Sequence, residues 1–284
     1  MIPGGFEYHR PDSLAAAVGV LREFGDEARV LAGGHSLIPM MKLRMADVAH
    51  LIDVQDIAEM KGICADGDTI TIGAMTSQHE VIDSPDIARV VPILHEAALQ
   101  IADPQVRYCG TIGGNIANGD PGNDMPGVMQ CLDATFLLQG PDGAREIAAR
   151  DFYEAAYTTA REDEEILTAV RLTTHARGYA YEKQKRKIGD YATAAAAVLI
   201  EKRDGVVANA SVAMTNLSDV PVWSETAGAD LVGTDCGSEA VAAAVDAMLG
   251  DIDPTDDNRG PVEFKQHVAG VILRRAIARA WSRA

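Results

Sequence analysis

The chain has 284 residues, of which 47% are hydrophobic and 24% charged, the composition of a globular protein long enough for two or three packed units. A formal net charge of −17, spread along the sequence, argues against a nucleic-acid partner, because phosphate backbones select basic faces. No apolar run approaches the roughly 18 residues needed to span a bilayer, and the opening Met1-Ile2-Pro3-Gly4-Gly5-Phe6 lacks a basic region followed by an apolar one, which predicts a cytoplasmic protein.

From Asp12 the apolar positions Leu14, Val18, Leu21 and Phe24 recur at helical spacing, with Asp12 or Ser13 as N-cap and Gly25 just past the end. Residues 30–32 read as a short buried strand running into Gly33-Gly34, residues 37–43 as a second helix and 51–54 as a second strand, together a small α/β unit. Residues 69–72 alternate as a strand, and 77–98 read as two helices split near Ser84-Pro85. Between Gly110 and Gly127 the glycines, with Asn115, Asn118, Asp120, Pro121, Asn123, Asp124 and Pro126, predict a long irregular segment of the kind that carries function. A short helix near 128–131 and a strand at 135–138 follow, then a brief helix after Asp151 and a strand over 165–170. The character changes near 173–178. Beyond it lie strands at 179–182, 193–201 and 206–214 and helices at 239–249 and 261–280, the last opened by Pro261 and carrying Arg274, Arg275 and Arg279 towards its end.

Two segments carry most of the chemistry. In Ala32-Gly33-Gly34-His35-Ser36 a strand turns through two glycines into a helix. Such a turn exposes backbone N–H groups, its missing Cβ atoms let an anion approach closely, and Ser36 adds a hydroxyl donor. It is neither a Walker A loop, which ends in Gly-Lys-Ser/Thr, nor a Gly-x-Gly-x-x-Gly Rossmann turn, and alone it is as readily structural. Thr111-Ile112-Gly113-Gly114-Asn115 repeats the combination of glycines and neutral donors, and a carboxylate, Asp124, follows. Neutral donors suit a pyrophosphate, whereas an ionised Asp accepts from hydroxyls and repels phosphate. The two loops together point to a dinucleotide with a ribityl or ribose chain.

His35 is expected to order its turn rather than to catalyse, and His79 and His95 to be surface or packing residues. Asp120 and Asp124 lack further ligands nearby, so no metal is expected there. The cluster Lys183, Lys185, Arg186, Lys187 before Gly189-Asp190-Tyr191 has two readings: a solvated edge-strand face, or a cation meeting the electron-rich pyrimidine edge of a flavin with Tyr191 packed on the ring. Cys64, Cys109, Cys131 and Cys236 form no Cys-x-x-Cys pair and are expected to be free thiols that ligate neither zinc nor an iron–sulfur cluster.

The stretches Val30-Leu31-Ala32-Gly33-Gly34-His35-Ser36-Leu37-Ile38-Pro39-Met40-Met41-Lys42 and Gly110-Thr111-Ile112-Gly113-Gly114-Asn115 resemble the two FAD-pyrophosphate loops of the molybdenum hydroxylase flavoproteins, the family that includes the flavin part of xanthine dehydrogenase. The likeness runs over essentially the whole chain. Within that family, residues 1–11, 117–126 and 181–194 are similar to the medium subunits of aerobic carbon monoxide dehydrogenases. The resemblance implies an α+β fold of the vanillyl-alcohol-oxidase (PCMH) type. It would comprise an α/β FAD-binding subdomain over 1–56, an α+β FAD-binding subdomain over 57–175, and a C-terminal domain of antiparallel sheet and helices over 176–284. It implies FAD held at the pyrophosphate by Ala32, Gly33, Gly34, His35, Ser36 and Leu37 with Gly114 and Asn115, and near its ring by Thr111. Asp124 would take cofactor hydroxyls, Leu167 would contact FAD through its backbone, and Lys183 and Tyr191 would lie near the ring. It assigns this chain no catalytic residue and no metal ligand.

The partners so implied are a large subunit whose molybdenum cofactor oxidises CO with water and a small subunit with 2Fe-2S iron–sulfur clusters, assembled as a dimer of heterotrimers. Electrons would leave for a quinone or another external acceptor, the complex associating with a membrane peripherally if at all. The cysteine census fits a relay that receives electrons across an interface. Three alternatives stay open: the FAD subunit of another molybdenum hydroxylase acting on xanthine, an aldehyde or an aromatic heterocycle; a stand-alone flavin oxidase, for which no clear base-and-nucleophile constellation is seen; and a non-redox phosphate-ligand module.

Overall fold

The structure is a computed structural model that describes residues 2–173 and 178–284. It opens with β1 (Glu7–His9), α1 (Leu14–Phe24), β2 (Ala28–Leu31), α2 (Leu37–Lys42) and β3 (His50–Asp53), whose strands make a parallel sheet in the order β1-β3-β2. Helix α1 forms where its apolar spacing predicts, burying Ala17, Val18 and Leu21 against the sheet. Strand β1 is not among the predicted elements, because three residues, two of them exposed, carry no alternation.

The middle of the chain supplies β4 (Ile63–Asp66), β5 (Thr69–Gly73), α3 (Gln78–Asp83), α4 (Pro85–Val90), α5 (Pro92–Ala98), α6 (Pro104–Cys109), α7 (Ile112–Ala117), α8 (Asp124–Cys131), β6 (Thr135–Gly140), β7 (Gly143–Ala148), β8 (Tyr153–Ala155), β9 (Thr158–Thr159) and β10 (Ile166–Thr173). Five of these strands form an antiparallel sheet in the order β4-β5-β10-β6-β7. Three expectations are corrected here. Residues 77–98 hold three helices rather than two, because Pro92 opens α5 as Pro85 opens α4, each at a position whose missing N–H is not needed. The brief helix expected after Asp151 is a single 3-10 turn over Ala149–Asp151, followed by the β8–β9 hairpin.

The third correction concerns the segment expected to be irregular, which contains α7 and the first half of α8. Thr111 caps α7, its Oγ1 accepting the Gly114 N–H at 3.0 Å, as a threonine at N-cap does. A glycine inside a helix costs about 1 kcal/mol against alanine. Here tertiary packing overrides that cost, because a Cβ on Gly113 would sit 2.4 Å from the Ala74 Cβ. The turn formers around Asn123 are also tied down: Asn123 Nδ2 donates to the Asn115 carbonyl at 2.8 Å, and Thr215 Oγ1 donates to the Asn123 carbonyl at 2.9 Å.

The chain continues through β11 (Gly178–Gln184), β12 (Ala194–Arg203), β13 (Val206–Thr215), β14 (Val222–Trp223), α9 (Glu225–Ala229), α10 (Ser238–Asp251) and α11 (Val262–Arg283). Its antiparallel sheet follows the order β11-β12-β13-β14. The change of character read at 173–178 falls on residues 174–177, outside the described residues. Strand β12 shows why its sequence is an unbroken apolar run: Ala195, Ala197 and Leu199 face the core shared with the first two sheets, while Ala194, Ala196, Val198 and Ile200 face the core beneath α10 and α11. A strand covered on both faces has no polar side. Glu96 ties α5 to the C-terminal unit: it accepts the Tyr181 N–H of β11 at 2.7 Å and pairs with Arg279 and, at 2.9 Å, with Arg283 of α11.

Candidate functional site

A cleft of about 530 Å³ lies where the β2–α2 turn, the α6–α7 connection, the start of α8, β10, β11 and the loop before Tyr191 converge. Its walls include all the residues singled out from the sequence: Ala32, Gly33, Gly34, His35, Ser36, Leu37, Thr111, Gly114, Asn115, Asp124, Leu167, Lys183 and Tyr191.

The two glycine loops touch each other, which refines what their glycines do. A Cβ on Gly33 would lie 2.2 Å from the carbonyl oxygen of Cys109, and one on Gly114 would lie 3.4 Å from the Ala32 Cβ. Gly33 is therefore required by the contact between turns as well as by any ligand. Gly34 has a φ of 73°, in the region only glycine enters without strain. The N–H groups of Gly33, Gly34, His35 and Ser36 donate to no acceptor among the described residues, and Ser36 makes no side-chain cap bond. In the second loop, by contrast, folding already uses the amides. Gly113 N donates to the Ala74 carbonyl at 2.9 Å, Gly114 N to Thr111 Oγ1, and Asn115 N to the Thr111 carbonyl at 3.1 Å. That loop keeps the Thr111 hydroxyl proton and Asn115 Nδ2 as donors. The Asn115 Oδ1 accepts from Met125 N at 3.3 Å.

Deeper in the cleft, Asp124 and Lys183 form an ion pair of 2.8 Å whose side chains are 6% and 1% exposed. Lys183 Nζ also donates to the Gln100 carbonyl at 3.2 Å, and the Tyr181 hydroxyl donates to Asp124 Oδ1. Burial pushes the Asp124 carboxyl above its ordinary value, opposed by Lys183 and Tyr181. Burial and the neighbouring Asp124 hold the Tyr181 hydroxyl well above its own, so it remains a donor. Two expectations change. Lys183 is not on a solvated strand edge, and Asp124 is not a free carboxylate awaiting hydroxyls, since both its oxygens have partners and only its remaining lone pairs are left to accept.

Lys185 is pushed below its ordinary value by burial and then by Lys183. Arg186 bonds Asp190 at 3.1 Å and the Asn258 carbonyl at 3.1 Å, fixing the loop that presents Tyr191. The Tyr191 ring packs on Gly122, where a Cβ would meet it at 2.7 Å. Burial, then Asp120, raises its hydroxyl to about 12. Asp120 is also engaged locally, its Oδ1 accepting Gly122 N–H at 2.9 Å. His35 is exposed at the cleft rim, and His79 pairs with Asp83 at 3.1 Å beside the Tyr108 ring.

Sequence reasoning missed Gln78 and Asn118. Gln78 is buried in the cleft wall with neither amide atom partnered, and Asn118 Nδ2 is likewise buried without an acceptor. The available signal for Gln78 was the Ser77-x-x-Glu80 capping box, which is formed and fixes Gln78 as the first residue of α3. A buried amide with no partner costs about 1–3 kcal/mol, a cost a polar ligand would remove. At the other end of the cleft, Glu165 accepts from Arg145 at 2.5 and 2.7 Å. The cavity is within the range of roughly 300–1,000 Å³ that holds small ligands. Free backbone donors on one turn and unpartnered amides behind it fit a dinucleotide pyrophosphate with hydroxylated arms.

Residues 4–173 match the family described as "FAD binding domain in molybdopterin dehydrogenase", and residues 179–280 match "CO dehydrogenase flavoprotein C-terminal domain". The carbon monoxide dehydrogenase medium chain of Afipia carboxidovorans is 54% identical, covering 100% of this chain and 99% of that protein. The glyceraldehyde dehydrogenase medium chain of Sulfolobus acidocaldarius is 33% identical over 97% and 98%. A solved chain of reconstituted CO dehydrogenase from Oligotropha carboxidovorans superposes with a TM-score of 0.99 and 54% identity, covering all of both chains.

Proposed function

The chain belongs to the FAD-binding flavoproteins of the molybdopterin dehydrogenases, and from that membership we propose that it is the FAD-carrying medium subunit of an aerobic carbon monoxide dehydrogenase. The observation that carries this reading is the convergence of both glycine loops, Asp124, Lys183 and Tyr191 on one cleft with free amides and an unpartnered Gln78. FAD supplies chemistry that exchanges electrons singly or in pairs, linking one-electron carriers to a two-electron acceptor.

The protein's own residues then divide the work. The N–H groups of Gly33 to Ser36, with the Ser36 and Thr111 hydroxyls and Asn115 Nδ2, receive the pyrophosphate oxygens, and Ala32 and Leu37 flank that turn. Gln78 and Asn118 supply amide donors behind it. Asp124 accepts a cofactor hydroxyl through its remaining lone pairs, Leu167 lends its backbone, and Tyr191 packs beside the ring. Lys183 brings a positive charge whose counter-charge is 2.8 Å away, so the pair orients a dipole towards the cofactor instead of adding a bare cation. Subdomains over 1–56 and 57–175 enclose the cofactor, and the unit over 176–284 contributes Lys183 and Tyr191.

The partners in this reading are a large subunit with the molybdenum cofactor and a small subunit with 2Fe-2S clusters, in a dimer of heterotrimers that delivers electrons to a quinone or another acceptor. The reading places the complex in the cytoplasm with peripheral membrane contact at most; no helix among the described residues is long and apolar enough to cross a membrane. The test is purification with the partner subunits, identification of the released cofactor as FAD, and addition of CO while the flavin absorbance is followed. Bleaching by CO supports the assignment. Bleaching by xanthine, an aldehyde or a heterocycle but not CO would transfer it to the second reading, which the likeness to a glyceraldehyde dehydrogenase medium chain favours. A complex that releases no FAD would defeat both.

A further inference from the structure

Away from the cleft, the first sheet gathers a second set of donor groups. Glu7 and His9 are two apart on β1, so their side chains share one face, and β1 pairs with β3 in parallel with Glu7 in register with His50. The backbone itself thus places two imidazoles and a carboxylate together. His9 Nε2 is 3.0 Å from His50 Nδ1, Glu7 Oε2 is 3.6 Å from the same nitrogen, and one ligand atom from each of the three lies within 4.8 Å of the others. His50 is held in place, its ring stacked on Phe24 with centroids 3.6 Å apart and planes 13° from parallel. Glu7 is free to adjust, its side chain being 74% exposed. The nearby Arg10 is engaged by Asp56 and does not compete for the carboxylate.

We propose that Glu7, His9 and His50 bind a divalent transition-metal ion of the zinc type, which staples the edge strand β1 to β3. Two neutral imidazoles and one carboxylate are a donor set for zinc. Two nitrogens around a tetrahedral zinc lie roughly 3.3 Å apart, a few tenths of an ångström from the present separation. The exposed side leaves the fourth position to water, and the −17 net charge draws cations towards the protein. The site has no local sequence signature, since its two histidines are 41 residues apart. Its position gives it a structural role, because β3 is also the neighbour of β2, the strand that leads into the Ala32–Ser36 turn.

The test is equilibrium dialysis of the chelator-treated full-length chain against zinc chloride, with zinc measured by elemental analysis. The unmodified chain should take up one equivalent. His9→Gln, which removes a direct ligand, should lower the affinity by at least the roughly 10–100-fold that loss of an outer-shell partner costs, and Glu7→Gln severalfold, with the circular dichroism spectrum unchanged in both. His95→Gln should leave binding intact. Cu²⁺ as an electron paramagnetic resonance probe should report two coordinated nitrogens in the unmodified chain and one in His9→Gln. No zinc uptake by the unmodified chain overturns the proposal. So does uptake that His9→Gln and Glu7→Gln leave undiminished, which would assign the metal to the exposed thiols of Cys64 and Cys109. A two-nitrogen copper spectrum that survives His9→Gln overturns it equally.

Discussion

Gly33→Ala tests whether the two glycine loops act as one device. The added methyl would lie 2.2 Å from the Cys109 carbonyl oxygen and 2.8 Å from the Gly110 Cα, against an ordinary contact that begins at 3.4 Å. The α6–α7 connection must therefore retreat by about 1.2 Å (3.4 − 2.2). Both partners in the clash are backbone, so no rotamer change relieves it. Overpacking of this kind costs ~1–3 kcal/mol. If that cost falls on the arrangement in which both turns face the ligand, FAD affinity drops by about 5- to 150-fold, at 1.4 kcal/mol per tenfold.

The assay is a titration of the flavin-depleted complex with FAD, read by quenching of flavin fluorescence, with a thermal melt of each variant beside it. Gly19→Ala is the control. Its methyl meets nothing within 4 Å, and within α1 it should stabilise the chain by up to about 1 kcal/mol without changing FAD affinity. Gly33→Ala binding FAD as tightly as the unmodified chain, or Gly19→Ala losing it to the same degree, would refute the reasoning.

Three further outcomes are expected. Gln78→Leu should weaken FAD binding about tenfold, by the loss of a hydrogen bond worth ~1–1.5 kcal/mol, while the flavin-free chain melts no lower, because the amide it removes has no partner; a lower flavin-free melting temperature with unchanged FAD affinity contradicts this. Lys183→Met leaves Asp124 buried without its counter-ion and should cost ~3–5 kcal/mol unless the carboxyl takes up a proton; in a spectroelectrochemical titration it should lower the flavin potential and Asp124→Asn should raise it, so shifts of the same sign would disprove the balanced-pair account. Glu165 is held below its ordinary value of 4.5, burial working upward but Arg145 and the Glu162 amide prevailing. Its contribution is therefore fully present above about pH 4.5 and is lost as pH falls through the lower folded value. Arg145→Met should then depress the melting temperature at neutral pH by an amount that shrinks below that pH, and a pH-independent difference would count against it.

What could be read from the sequence follows the range of the forces involved. Helix α1 and strand β12 were legible because apolar spacing at 3.6 residues, or an unbroken apolar run, reports local burial directly. Strands β1 and β4 were not: Glu7–His9 and Ile63–Asp66 are mostly exposed and owe their extension to a partner strand. The segment from Gly110 to Gly127 misleads for the opposite reason. Its turn formers lower helix propensity, but Gly113 buried against Ala74 and Asn123 bonded to Asn115 supply tertiary compensation no local rule contains. The loop glycines were visible, yet their contact with each other was not. Lys183 could be singled out by charge alone, while its partner Asp124 is 59 residues away, so the sequence offered a solvated face and a cofactor contact as equals.

That last pair also bears on how the cleft is suited to holding a cofactor. Its buried ionisable groups are engaged, Asp124 by Lys183 and Tyr181, Glu165 by Arg145, and the Tyr191 hydroxyl beside Asp120, while His35 stands exposed at the rim. A general base needs a lone pair available near working pH and within reach of a substrate proton, and the two tyrosine hydroxyls are displaced upward, away from that range. Asp124 comes from α8 and Lys183 from β11, so the pair exists only when the C-terminal sheet is docked. Glu96 enforces that docking through the Tyr181 amide, Arg279 and Arg283. The charge balance of the cleft is therefore a property of the assembled chain, and any partner surface that shifted β11 relative to α8 would alter the field at the cofactor without touching it.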